Sequence, residues 1–230
     1  MYCIIVAMKE ELLAVKNLME NISENKIYNI EITKGKIGNK ECILALSGIG
    51  KVNAARTTQI LIDNFKIDLI INTGSAGAIN NELNIGDVLI AKHVVQHDFD
   101  ISAFGHSFGY IPKIGVEIIC DETLIEDVKE ITKIHKEEYQ TIIGVVASGD
   151  IFCSKIEDKE RIRNIFNADV VEMECAAIGQ VSILDNIPFI SIKAVSDVPN
   201  NTNHKIFEEN LELAAGRAAE IVKEFCSREK

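Results

Sequence analysis

The sequence predicts an α/β fold, and three observations predict it. Residues 167–200 hold two apolar, β-branched runs, 169–171 and 188–195, separated by a segment, 175–184, with apolar residues at helical spacing. Short β-type runs alternate with helical-period segments along the rest of the chain. No linker-like, repeated or low-complexity stretch interrupts the 230 residues, so one domain spanning residues 1–230 is expected.

The strand–helix–strand stretch organises the rest. A crossover of that length normally joins parallel strands, so its two strands are expected to be parallel. Glu172 and Glu174 fall where the first run ends, and Asp197 stands two residues past the second. Ligands of open α/β sheets bind beyond the carboxyl ends of strands. These acids should therefore meet at one crevice, where carboxylates beside an apolar wall do acid–base work. Taken singly, each acid is equally a helix cap or a solvated loop residue.

In chain order, residues 2–7 read as a first strand with Met8-Lys9-Glu10-Glu11 at its end, and Leu12, Val15, Leu18 and Met19 mark a helix. Glu10 or Glu11 thus repeats the strand-end acid pattern; the alternative is a helix first turn that favours acids. Residues 27–46 read as three short strands with turns at Lys34-Gly35 and Gly38-Asn39. Ser47-Gly48-Ile49-Gly50-Lys51 then leads into a helix over 52–64. Its glycines allow close approach to backbone N–H groups, but the spacing is not that of a nucleoside-triphosphate loop.

Residues 67–72 form a buried-type strand closed by the small residues Thr73 to Ala78, and 87–95 form another. The aromatic stretch 97–112 has no periodicity, which is usual for a functional or interface segment. A helix over 122–136 follows, with Leu124, Val128, Ile131 and Ile134 on one face. Then come a strand over 141–147 ending in Ser148-Gly149-Asp150-Ile151-Phe152-Cys153 and a charged helix over 155–165. Leu211, Ala214, Ala215, Ala218, Ile221, Val222 and Phe225 mark one face of a long final helix.

Composition bounds the function. The hydrophobic fraction of 47% supports a sizeable core, and no run of apolar residues is long enough to span a membrane. The N-terminus lacks the basic region of a signal peptide. A net charge of −11, from 35 acids against 24 Lys and Arg, argues against a nucleic-acid surface. Six scattered cysteines without a C-x-x-C pair suit a reducing cytoplasm, and five histidines without ligand spacing point to no metal.

Ala7-Met8-Lys9-Glu10-Glu11, Ser47-Gly48-Ile49-Gly50-Lys51, Asn72-Thr73-Gly74-Ser75-Ala76-Gly77, Ala103-Phe104-Gly105, Ser148-Gly149-Asp150, Val171-Glu172-Met173-Glu174 and Ser196-Asp197-Val198 occur in this order. Together they resemble the 5′-methylthioadenosine/S-adenosylhomocysteine nucleosidases of the purine nucleoside phosphorylase superfamily, over nearly the whole chain. The resemblance implies a mixed, partly barrel-like sheet flanked by helices, and a homodimer that needs neither cofactor nor metal. It implies that Glu11 holds the attacking water, that Glu174 binds the ribose hydroxyls with Met173 packed on the sugar, and that Asp197 protonates adenine N7 with support from Ser196. Phe152 would stack on the purine beside the Cys153 backbone, and Ser75, Ala76 and Gly77 would line the ribose side. Ile101, Phe104, His106 and Pro112 would cross the dimer interface to cover the neighbour's 5′-alkylthio group. Two positions depart from the family: Lys9 stands within a stretch that commonly has three acids, and His106 stands where an aromatic such as Tyr is usual.

Two other functions compete. A phosphorylase of the same fold needs arginines to clasp phosphate, yet the first arginine is Arg56, leaving Lys9 and Lys51 as point charges. A non-catalytic nucleoside-binding protein would need the pocket but not the desolvated acids Glu11 and Asp197.

Overall fold

Five strands close on themselves. In the computed structural model, which describes residues 1–199 and 204–228, β5 (Leu69–Ala78) pairs with β10 (Phe189–Asp197), and β10 with β6 (Val88–Gln96). The ring continues through β8 (Thr141–Ser148) and β9 (Val170–Glu172) back to β5. The sheet extends outward from β5 through β1 (Tyr2–Val6), β4 (Lys40–Leu46), β3 (Ile30–Ile37) and β2 (Glu20–Ile27), while β7 (Ile118–Ile119) pairs with β6. The result is a mixed, partly barrel-like sheet of ten strands.

Burial follows from this closure. Every residue of β10 is buried, because the barrel covers one face and helices the other. Helix α5 (Cys175–Leu184) is apolar almost all round and sinks six residues into the interior, which suits a helix between layers. Helix α6 (His204–Ser227) presents Leu211, Ala214, Ala215, Ala218, Ile221, Val222 and Phe225 inward, all buried, as the sequence stripe predicts. Helices α1 (Lys9–Lys16), α2 (Lys51–Asn64), α3 (Glu122–Thr132) and α4 (Ile156–Phe166) flank the sheet. At the outer edge, β2 is exposed along nearly its whole length and carries the charges of Glu20, Glu24 and Lys26, which discourages edge-to-edge pairing.

Several expectations are corrected. There is no turn at Lys34-Gly35: Gly35 lies inside β3 opposite Cys42, and a Cβ there would come within 2.7 Å of the Glu20 carbonyl. The hairpin turn sits at Tyr28-Asn29, whose φ values of 46° and 72° match a two-residue primed turn. The small residues Thr73 to Ala78 do not close β5; they continue it, because β10 and β9 supply hydrogen-bond partners there. Strands β9 and β10 are not parallel neighbours. β9 runs parallel to β8 and antiparallel to β5, closing the ring, whereas β10 runs parallel to β5. Past Thr132 the chain tightens into a 3₁₀ turn, so Ile134 leaves the apolar face and is 71% exposed.

Candidate active site

The strand ends converge on one cleft of about 290 Å³. It is lined by Glu11, Ser75, Ala76, Gly77, Phe152, Cys153, Met173, Glu174 and Asp197, all of them expected from the sequence. Glu11 reaches it from the first turn of α1. Its Oε2 accepts from the backbone N–H groups of Ala7 (3.0 Å) and Met8 (3.1 Å), so it caps its own helix. Its Oε1 turns to β5 and accepts from Ser75 N (2.8 Å) and Ser75 Oγ (3.1 Å). Both readings of this acid hold at once, as cap and as site residue. Glu10, its neighbour, is exposed.

Glycines on β5 make room for the two outer acids. A Cβ on Gly74, where φ is +145°, would collide with the Glu11 carboxylate. A Cβ on Gly77 would lie 3.0 Å from Asp197 Oδ2. Asp197 ends β10, and the Ser196 hydroxyl donates to its Oδ1 at 3.0 Å, with the Ala76 carbonyl 3.3 Å from the same hydroxyl. Ser196 therefore supports Asp197 from beneath and does not itself line the cleft. Helix α4 turns Lys159 inward to 3.5 Å from Asp197 Oδ2.

A second acidic cluster forms the floor. Glu172, at the end of β9, is fixed by the backbone N–H groups of Glu174 and Cys175, by the Ser148 hydroxyl and by Lys193 Nζ at 3.0 Å. The Lys193–Glu172 pair is buried, with side chains 3% and 5% exposed. Burial alone would depress the Lys193 ammonium, but the Glu172 carboxylate outweighs it and raises that group above its usual range. Glu174 occupies the N-cap of α5 and accepts from Gly50 N at 2.7 Å. Burial, reinforced by the negative Glu172, pushes its carboxyl up to about 8. A neutral carboxyl there can donate one hydrogen bond while accepting another.

The Gly50 N–H is itself held. Lys51 Nζ bonds Gln96 Oε1 (2.9 Å) and Asp98 Oδ1 (2.5 Å), and Lys51 N donates to Asp150 Oδ1 (2.8 Å). Lys51 is thus occupied away from the cleft, Lys9 is exposed, and Arg56 donates to the Tyr28 carbonyl.

Sequence reasoning missed Lys193, Lys159, Ile49, Ile151 and Phe207. The two lysines carry no local signal, since each meets its carboxylate only through the tertiary fold. Phe207 packs edge-on to Phe152, with ring centroids 5.7 Å apart. It is an aromatic residue in a polar run ahead of the α6 stripe, and that contrast was readable. Ile49, Ile151 and Phe152 rim the cleft and are 52%, 50% and 45% exposed, leaving an apolar mouth. Ile101, Phe104, His106 and Pro112 do not line this chain's own cleft; they lie on the exposed or half-exposed stretch between β6 and β7.

A barrel-centred α/β sheet with two supported acids across an apolar cleft defines the class, and the family model described as Phosphorylase superfamily matches residues 1–227. The 5′-methylthioadenosine/S-adenosylhomocysteine nucleosidase of Staphylococcus aureus strain JH9 is 40% identical over 226 residues, covering 98% of both chains. The crystal structure of the same-named enzyme of Neisseria meningitidis, in complex with methylthio-immucillin-A, superposes with a TM-score of 0.93 at 36% identity, covering 98% of both chains. The futalosine hydrolase of Helicobacter pylori strain 26695 superposes with a TM-score of 0.92 at 33% identity, covering 97% of this chain and 96% of that one. The chain belongs to the phosphorylase superfamily and, within it, to the 5′-methylthioadenosine/S-adenosylhomocysteine nucleosidases, which are N-glycosyl hydrolases.

Proposed function

We propose that this protein hydrolyses the N-glycosidic bond of 5′-methylthioadenosine and S-adenosylhomocysteine, releasing adenine and the 5-substituted ribose. The observation that carries the reading is one cleft lined by three acids, Glu11, Glu174 and Asp197, of which Glu11 is tied to Ser75 and Asp197 to Ser196. Breaking an N-ribosidic bond builds positive charge on the sugar and negative charge on the purine. A proton delivered to N7 by Asp197 makes adenine a better leaving group, and carboxylates beside the ribose stabilise the oxocarbenium-like state.

Glu11 orients the water that attacks the anomeric carbon, and its four hydrogen bonds fix the carboxylate for that task. Glu174, backed by Gly50, takes the ribose hydroxyls. Phe152 and Phe207 offer aromatic faces for the base, with Met173 beside the sugar. The apolar mouth favours 5′-alkylthio groups, and related 5′-substituted adenosines such as 5′-deoxyadenosine fall within the same reading. A homodimer completes the mouth with Ile101, Phe104, His106 and Pro112. The reaction belongs to methionine salvage in the cytoplasm.

Water is favoured over phosphate as the attacking group because the described residues lining the cleft include neither arginine nor lysine. In phosphate-free buffer, adenine and free 5-substituted ribose should form at full rate, and millimolar phosphate should not accelerate them. Ribose 1-phosphate as the main product would refute hydrolysis. A panel of 5′-substituted adenosines compared by kcat/KM ranks the substrates.

A further inference from the structure

Lys159 is a buried cation to which the reading above gives no task. Its helix, α4, exposes Glu157, Glu160 and Arg161 to solvent, yet Lys159 is only 2% exposed and aims Nζ at Asp197 Oδ2, 3.5 Å away. A lysine turned from a charged helix face onto a buried carboxylate needs a reason, because desolvating an ammonium is expensive. Burial pushes Lys159 below the usual lysine range, and the Asp197 carboxylate opposes that push. The third described titratable group beside it is Cys153, whose thiol burial raises to about 11, so it stays neutral near pH 7. Asp158, Arg161 and Asp98 also act on that thiol, and Glu11, Glu172 and Glu174 line the same cleft as Asp197.

We propose that Lys159 and Asp197 form one proton-delivering pair, in which Lys159 supplies the proton that Asp197 hands to the departing adenine. The inference rests on the reading of Asp197 as general acid. The pair starts as ammonium and carboxylate. One N–H bond of Lys159 breaks as an O–H bond forms on Asp197. When the glycosidic C–N bond breaks, its electron pair passes into the purine, the Asp197 O–H bond breaks and the proton bonds to N7. Lys159 is left as a neutral amine beside an Asp197 carboxylate, and water supplies its next proton. The proton lost by the attacking water balances that uptake. Unperturbed ammonium groups hold a proton to roughly pH 10, and carboxyl groups only to roughly pH 4. The pair therefore keeps a transferable proton in the site where a lone carboxyl would need its surroundings to hold one.

The test is the pH profile of kcat for the wild type, Lys159→Met, Lys159→Arg and Asp197→Asn. Lys159→Met should move the basic limb to lower pH, so that the loss at pH 8 reaches about 100-fold and is much smaller at pH 6. Lys159→Arg keeps the charge but releases no proton below about pH 12, so it should not restore the rate at pH 8. A loss equal at every pH and rescued by arginine would mean that Lys159 only packs, and would overturn the inference. Adenine binding serves as the check of a folded site, and Lys159→Gln replaces the methionine variant if that one does not fold. Normal turnover by Asp197→Asn would instead defeat the reading of Asp197 itself. A slow Asp197→Asn with lysine variants parallel to the wild type would defeat the proton pair alone.

Discussion

Glu11 and Glu10 are adjacent in sequence and opposite in fate. On a helix their side chains point about 100° apart, so only one can face the crevice, and it is Glu11 that is buried and tied to Ser75. Glu11→Gln puts an amide NH₂ against donors that need an acceptor, and kcat should fall by about two to four orders of magnitude. Glu10→Gln should be mild; the reverse ranking in steady-state kinetics would move the water-holding role. Glu174 gives a second residue-level expectation. Burial, with the negative Glu172 beside it, pushes its folded carboxyl up to about 8, above the 4.5 of the free group. Between those two values the unfolded chain has released a proton that the folded protein retains, so this group's contribution to stability falls as pH rises through that window. Glu174→Gln keeps the acceptor for Gly50 and removes the titration. Its melting temperature relative to the wild type should therefore rise from pH 5 to pH 8, and a difference that is flat with pH would contradict the burial of this acid.

At the scale of elements, β5 does more than the sequence announces. Its first half is a β-branched run and was legible; its second half, Thr73 to Ala78, looks like a loop because small residues carry no strand propensity. The reason for them is spatial. Gly74 and Gly77 are the places where the carboxylates of Glu11 and Asp197 rest against the strand. Gly74→Ala should displace Glu11 from the Ser75 N–H and lower kcat by about 100-fold with little effect on secondary structure, measured by kinetics beside circular dichroism. The helices were legible to within a few residues because apolar period and charge are local properties. Closure of the barrel through β9 was not, since the run at 169–171 announces a strand but not its partners β5 and β8, which are remote in sequence. For the same reason Glu172 was legible as a strand-end acid, while its buried partner Lys193 was not.

At the scale of the whole molecule, the cleft has an open side and the chain has an unused apolar one. Ile49, Ile151 and Phe152 leave the mouth apolar, and the stretch 102–107 is exposed throughout, with Phe104 82% in solvent. His106 stacks on Tyr110 at 4.4 Å, so part of this stretch is ordered by its own rings without a barrier to docking. In the homodimer proposed above, a two-fold arrangement would set each stretch over the other copy's mouth and bury both patches together. Such an interface is expected to remove on the order of 1,200 Å² or more from solvent. Light scattering at micromolar concentration should return twice the mass of the 25.5 kDa chain. Phe104→Asp puts a charge into the proposed contact, so it should shift that mass toward the monomer and raise KM for methylthioadenosine in step, while adenine binding changes less. A fully active monomer, or a Phe104→Asp dimer with wild-type KM, would separate the 101–112 stretch from the site.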